Sequence, residues 1–238
     1  MCGIYCAISR HGFTPLTASL KSILQSRGPD CFQYITHEVR DSSTNDPKVF
    51  LSITSTVLAL RGNSVISQPL LHEAVGSFFC WNGEAWKFNG QELSGNDSQI
   101  VFAHLLDAAN GSNMSSAHVK IIDALGQING PYAFVFYDSR HKKLYFGRDC
   151  LGRRSLLRSS NARGDLLLSS VSDLSISDQW VEVEADGVNF IDFGQKTEGS
   201  SDQFLLHHIP YDFESFSEKD NPTIVILSTN SYLWHRTR

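Results

Sequence analysis

The sequence predicts an α+β domain, with helices packed on antiparallel sheets. Three observations carry that prediction. Strand-like runs open the chain, two segments of helical periodicity sit near its middle, and short apolar runs bounded by Gly, Asp or Ser fill the stretch after residue 132. In chain order, residues 2–9 read as a buried strand. Leu16, Leu20, Ile23 and Leu24 fall at helical spacing, and Gly28-Pro29 ends that helix. Residues 49–60 are rich in β-branched side chains and read as strand. Aromatic runs at 77–81 and 84–88 flank Asn82-Gly83, a strong hairpin signal. Asp97 precedes Ile100, Val101, His104, Leu105 and Ala108, which places it as a helix cap. Val119, Ile122 and Leu125 mark a second helix over about 116–127. Strands are then expected at 132–137, 143–146, 155–158, 166–171, 180–183 and 188–193. The polar stretch 194–202 reads as a linker, with one apolar run beyond it at 223–227. The expected division is a domain over 2–193 and a linker or truncated segment over 194–238.

Composition bounds the function. A chain of 238 residues is one large domain or two small ones, and 41% hydrophobic against 19% charged residues makes it globular. A net charge of −5 argues against a phosphate-reading surface, so no nucleic-acid partner is expected. No apolar run reaches membrane-spanning length, and the start has no secretory pattern. Five scattered cysteines without a CxxC point to a reduced compartment, the cytoplasm, and to no zinc site.

Several residues could carry chemistry. If Met1 is removed, as is usual before a small residue, Cys2 supplies both a thiol and a free α-amine. The amine titrates at about 7.7–8.0 and can activate the thiol without a histidine. The alternative is a small apolar residue opening a strand. Asn82-Gly83 is either a pair of oxyanion donors or a type I′ turn. Arg61 and Asp97 together could hold the carboxylate and ammonium of an α-amino acid, although each alone is unremarkable as a surface residue or a cap. Gly147-Arg148-Asp149 and Gly152-Arg153-Arg154 could meet a phosphate. Without GxxxxGK[ST] or GxGxxG, a turn held by Arg–Asp pairing is the better reading, and no cofactor is expected. His207-His208 has no spaced partners and is not read as a metal site.

The order of these motifs carries more than any one of them. Cys2-Gly3-Ile4, Arg27-Gly28-Pro29-Asp30, Arg61, Asn82-Gly83-Glu84, Asp97-Ser98, Gly130-Pro131-Tyr132-Ala133-Phe134 and Gly147-Arg148-Asp149 resemble, in sequence, the class II glutamine amidotransferase domain. The Pro29 of RGPD is similar to the asparagine synthetase branch. The resemblance implies the four-layer αββα sandwich of N-terminal-nucleophile hydrolases. It implies glutamine as substrate, Cys2 as nucleophile, and Asn82 and Gly83 as oxyanion hole. Arg61 would bind the substrate carboxylate, and Asp97 with backbone of Gly83 or Glu84 its amino group. It further implies a link to asparagine biosynthesis. Two departures stand out. Gly62 replaces a larger apolar residue, in a shortened segment of the glutamine pocket. No SGGxDS loop is found before Arg238, so no ATP-dependent synthesis is expected from this chain alone. The ammonia acceptor would be a separate synthetase domain or subunit. The alternative expectation is a weak or inactive amidotransferase-like binding domain.

Overall fold

Burial on both faces marks the central strands Gly3–Ser9, Ser77–Gly83, Tyr132–Asp138 and Lys143–Arg148. In the computed structural model, residues 1–110, 114–173, 179–194 and 204–211 are described. β1 (Gly3–Ser9) leads into α1 (Ala18–Arg27), β2 (Cys31–Arg40) and β3 (Pro47–Val57). Four short or medium strands follow: β4 (Leu70–His72), β5 (Ser77–Gly83), β6 (Lys87–Phe88) and β7 (Gln91–Glu92). The paired helices α2 (Asp97–Ala109) and α3 (Met114–Gly126) come next. β8 (Ile128–Asn129), β9 (Tyr132–Asp138), β10 (Lys143–Arg148), β11 (Leu157–Ser160) and β12 (Leu166–Ser169) then run to β13 (Val181–Glu182), β14 (Gly187–Asp192) and β15 (Leu206–Pro210).

Two six-stranded sheets form the centre, in the orders β13-β11-β12-β1-β3-β2 and β15-β14-β10-β9-β5-β4. Successive side chains of a strand point to opposite faces, so a strand covered on both sides is apolar throughout. β1 shows this. Ile4, Cys6 and Ile8 enter the core between the sheets, while Tyr5 and Ala7 pack with Leu20 and Leu24 of α1. In β5, Phe78 and Cys80 face the inter-sheet core, while Phe79 and Trp81 join α2 and α3 residues on the other side. The layers are therefore helix, sheet, sheet, helix pair: the αββα sandwich.

Local chemistry sets the helix ends. Thr17 caps α1 by accepting from the Leu20 amide at 3.2 Å. Gly28 ends it at the non-helical φ −135°, ψ 79°, and only a residue without a Cβ passes there, since a Cβ would lie 2.5 Å from backbone atoms of Thr56 and Val57. Asn96, not Asp97, caps α2, accepting from Gln99 at 3.2 Å, and Asp97 becomes the first helical residue. The hairpin expected at Asn82-Gly83 is absent. Both residues lie in β5, opposite Ala133 and Tyr132 of β9. That partner is about fifty residues away, and local turn propensity cannot anticipate it. β2, for which the sequence gives no expectation, covers one edge of the first sheet. β15 lies in the stretch read as linker or truncated segment. It pairs with β14 in the register Val188↔Ile209, and Tyr211 after it is buried. The run at 223–227 lies outside the described residues. No helix among the described residues is long and apolar enough to cross a membrane.

Candidate active site

Cys2 stands at the mouth of β1, a strand flanked on both sides in the first sheet. Its neighbours fix it from three directions. A Cβ on Gly3 would lie 2.5 Å from Thr56 Oγ1 and 2.8 Å from Leu24 Cδ2, so only glycine fits there. Thr56 Oγ1 donates to the Leu24 carbonyl at 2.7 Å, tying β3 to the end of α1. The Ile4 amide donates to Ser170 Oγ at 3.1 Å, and the Ser170 amide returns a bond to the Ile4 carbonyl at 2.8 Å. The Cys2 thiol points at the Leu58 carbonyl, 3.8 Å away, and burial raises its pKa above the ordinary thiol value. The α-amine of Met1 donates to the Arg27 carbonyl at 3.3 Å. Burial lowers the pKa of that amine, and the Arg27 and Arg154 charges act in the same direction.

Cys2, Arg61, Asn82, Gly83, Glu84 and Asp97 all line one cleft. The residues singled out from sequence are therefore brought together. Their hydrogen bonds differ in kind. Asn82 is 1% exposed, and its Nδ2 is buried with no hydrogen-bond partner among the described residues. An orphaned buried donor costs about 1–3 kcal/mol, so its persistence calls for a reason outside stability. Gly83 is held close to β9: a Cβ would lie 2.6 Å from the Pro131 carbonyl oxygen and from Tyr132 Cβ. Glu84 donates its amide to Pro131 at 2.9 Å.

Asp97 is buried at the start of α2, where the helix dipole favours a carboxylate. Its Oδ2 accepts from Trp81 Nε1 at 3.0 Å and from the Ala85 amide at 2.8 Å. Its Oδ1 has no hydrogen-bond partner among the described residues. Arg61, expected to hold a substrate carboxylate, already bonds two backbone carbonyls. Nη1 donates to the Ala85 carbonyl at 2.7 Å and Nη2 to the Leu93 carbonyl at 3.0 Å. Gly62 after it has φ +86° with nothing within 4 Å of a Cβ.

Sequence reasoning missed two supporting side chains. Gln68 is buried, and its Oε1 accepts from the Trp81 amide at 2.7 Å, joining the cleft wall to β5. Trp81 holds Asp97. Neither contact has a local signature; each depends on residues brought together by the fold. The arginines of the Gly147–Arg154 run divide. Asp149 accepts from the amides of Tyr132, Leu151 and Arg153 and from Arg153 Nε at 2.9 Å, while Arg148 donates to Glu182 and the Val183 carbonyl. That is a turn held by Arg–Asp pairing. Arg154 instead lines the cleft. Among the described residues no group of three or more His, Cys, Asp or Glu is placed to hold a metal. His208 pairs with Asp186 and Asn189, and His207 stacks on Phe190.

On this sandwich, with a cysteine at the head of a central strand and a cleft beside it, falls a match to the glutamine amidotransferase domain family. The chain belongs to that family, which it matches over residues 1–210. Within the family it is similar to asparagine synthetase domain-containing proteins. It is 33% identical to protein 1 of Bos taurus over 97% of this chain and 36% of that one. It is 34% identical to the Homo sapiens protein over 81% of this chain and 28% of that one. The asparagine synthetase [glutamine-hydrolyzing] of Mesocricetus auratus is 24% identical over 71% of this chain and 28% of that one. The chain thus spans about a third of the length of these relatives. Among solved structures it shares its fold with glutamine phosphoribosylpyrophosphate amidotransferase from B. subtilis. There the TM-score is 0.57 at 16% identity, covering 80% of this chain and 47% of that one.

Proposed function

We propose that the domain hydrolyses glutamine to glutamate and ammonia through a thioester on Cys2. The observation that carries this reading is the buried, unpartnered Asn82 amide in the same cleft as the Cys2 thiol. Removal of Met1 gives Cys2 the chain's α-amine. The amine takes the thiol proton as sulfur attacks the side-chain amide carbon of glutamine. The carbonyl oxygen becomes an oxyanion, for which Asn82 Nδ2 and the Gly83 amide are donors. The C–N bond breaks, the proton passes to the leaving nitrogen, and ammonia departs. Water then attacks the thioester over the same donors and releases glutamate and the thiol. Burial raises the Cys2 pKa and so favours the neutral thiol, which makes a base beside it necessary near neutral pH. Asp97 Oδ1, without a partner, is the group for the substrate ammonium. Arg61 holds the substrate carboxylate with the N–H groups its two carbonyl bonds leave over.

The proposal extends to the fate of the ammonia. A synthetase domain or subunit would accept it, in asparagine biosynthesis in the cytoplasm. The similarity to a glutamine-hydrolysing asparagine synthetase and the five free cysteines support that extension.

A second reading rests on Arg61. With both terminal nitrogens bonded to carbonyls and Gly62 leaving the wall beside it open, the cleft would bind glutamine without turning it over. One experiment separates the two. Glutamate release is measured with protein whose N-terminus has been verified by mass spectrometry, with Cys2→Ala alongside. Release that vanishes in Cys2→Ala supports the hydrolase. Stabilisation by glutamine, about 2.7 kcal/mol at a hundred times Kd, with no release supports the binding domain and overturns the hydrolase.

A further inference from the structure

Arg27 and Arg154 converge on one atom, the sulfur of Met1. Arg27 Nη2 lies 3.9 Å from it and Arg154 Nη1 3.4 Å. The Nε of each is buried without a partner, as are those of Arg10, Arg148 and Arg158, so what sets the pair apart is their convergence beside Cys2. Arg27 Nη1 is held by Ser155 Oγ at 3.2 Å and the Ser170 carbonyl at 3.3 Å. Neither guanidinium has a carboxylate partner among the described residues. Arg40, Arg148, Arg153, Arg158 and Arg163 each do, whereas Arg10, Arg61 and Arg140 do not but stand singly. Two like charges held together with buried N–H groups unpaired are costly unless an anion joins them. A thioether is a poor acceptor and leaves with Met1.

Glutamine cannot use this pair. Its two charges are assigned to Arg61 and Asp97, and its leaving group is ammonia. The substrate position that remains is the leaving nitrogen, which departs from the carbon that Cys2 attacks. From the pair's place beside Cys2, and resting on the thioester reading above, we propose that the mature cleft takes γ-glutamyl amides whose leaving amine carries a carboxylate. Arg154 on the cleft wall, and Arg27 behind the position Met1 vacates, bind that carboxylate. The chemistry balances as for glutamine. The C–S bond forms as the C–N bond breaks, the thiol proton goes to the leaving amine, and water regenerates the thiol.

The test compares γ-glutamylglycine with γ-glutamylmethylamide, which differ in the leaving-group carboxylate, and includes glutamine as reference. For protein beginning at Cys2, the carboxylate should raise kcat/KM about tenfold, the scale of one charge-assisted contact. Arg154→Gln should bring the ratio close to one, and Arg154→Lys should keep part of it. Protein retaining Met1 lacks the Cys2 α-amine, so it should turn over neither amide and serves as the blank. Equal rates for the two amides, or a preference that survives Arg154→Gln, overturns the inference. Free glycine that competes as well as the amide would assign the site to a free anion and overturn it too. If glutamine itself is not hydrolysed, the thioester reading fails separately. The same tenfold comparison is then made as Kd by calorimetry on Met1-processed Cys2→Ala, where equal affinities overturn the inference.

Discussion

Two clusters lie at the same end of the sheets and treat their polar groups in opposite ways. At Asp149 the carboxylate is fully engaged: three amides and one guanidinium converge on a side chain 2% exposed, although the neighbouring Arg148 Nε is unpaired. Around Cys2 the bonds are withheld. Asn82 Nδ2, Arg27 Nε and Arg154 Nε are buried and unpaired, and Asp97 uses one oxygen only. Closure of the first cluster is what a fold requires of a buried turn. Openness of the second costs stability and makes sense only if a ligand completes it.

That contrast can be broken by substitution. The largest effect is expected at Cys2→Ala, where glutamate release falls to background while near-UV circular dichroism stays native. Asn82→Leu comes next. Removing one oxyanion donor lowers kcat by about 10²–10³. Because it also removes an orphaned donor, thermal stability holds or rises. Asp149→Ala should behave in reverse. It leaves the Tyr132 amide unpaired in the core and costs about 2–4 kcal/mol in urea unfolding, while glutaminase activity per folded molecule changes little. A catalytic loss at Asp149 as large as at Asn82 would erase the distinction.

The smallest effect lies outside both clusters. His118 packs against Tyr145 and Phe190, with Nδ1 3.0 Å from the Tyr145 hydroxyl. Burial, joined by the Lys143 charge, lowers its pKa to about 4. The unfolded chain binds a proton near 6.5, so this group's contribution is present above that pH. It is lost as pH falls from about 6.5 to about 4. His118→Gln should flatten the stability profile in that window, and an unchanged slope would remove the assignment.

The sequence was most legible where motif order compensated for weak local signals. Cys2, Asn82, Gly83 and Asp97 each had a bland structural explanation, and the cleft joins them. The two helices of the middle and most strands followed from periodicity, because both faces of the central sheets are buried. What failed was long-range. The hairpin at Asn82-Gly83 gave way to pairing with β9. Asp97 lost the cap to Asn96 one residue before it. The commitment of Arg61 to Ala85 and Leu93, and the approach of Arg154 to Arg27 across 127 residues of chain, depend on sheet order, which no local pattern encodes.

The position of β1 has a practical consequence. β1 is flanked on both sides, and Met1 just before it lies on the cleft wall. Any affinity tag or fusion partner joined ahead of Cys2 starts from that wall and withholds the free amine the proposed chemistry needs. Such a preparation would be well folded and silent, and a tag placed at the far end of the chain is the one that tests the chemistry.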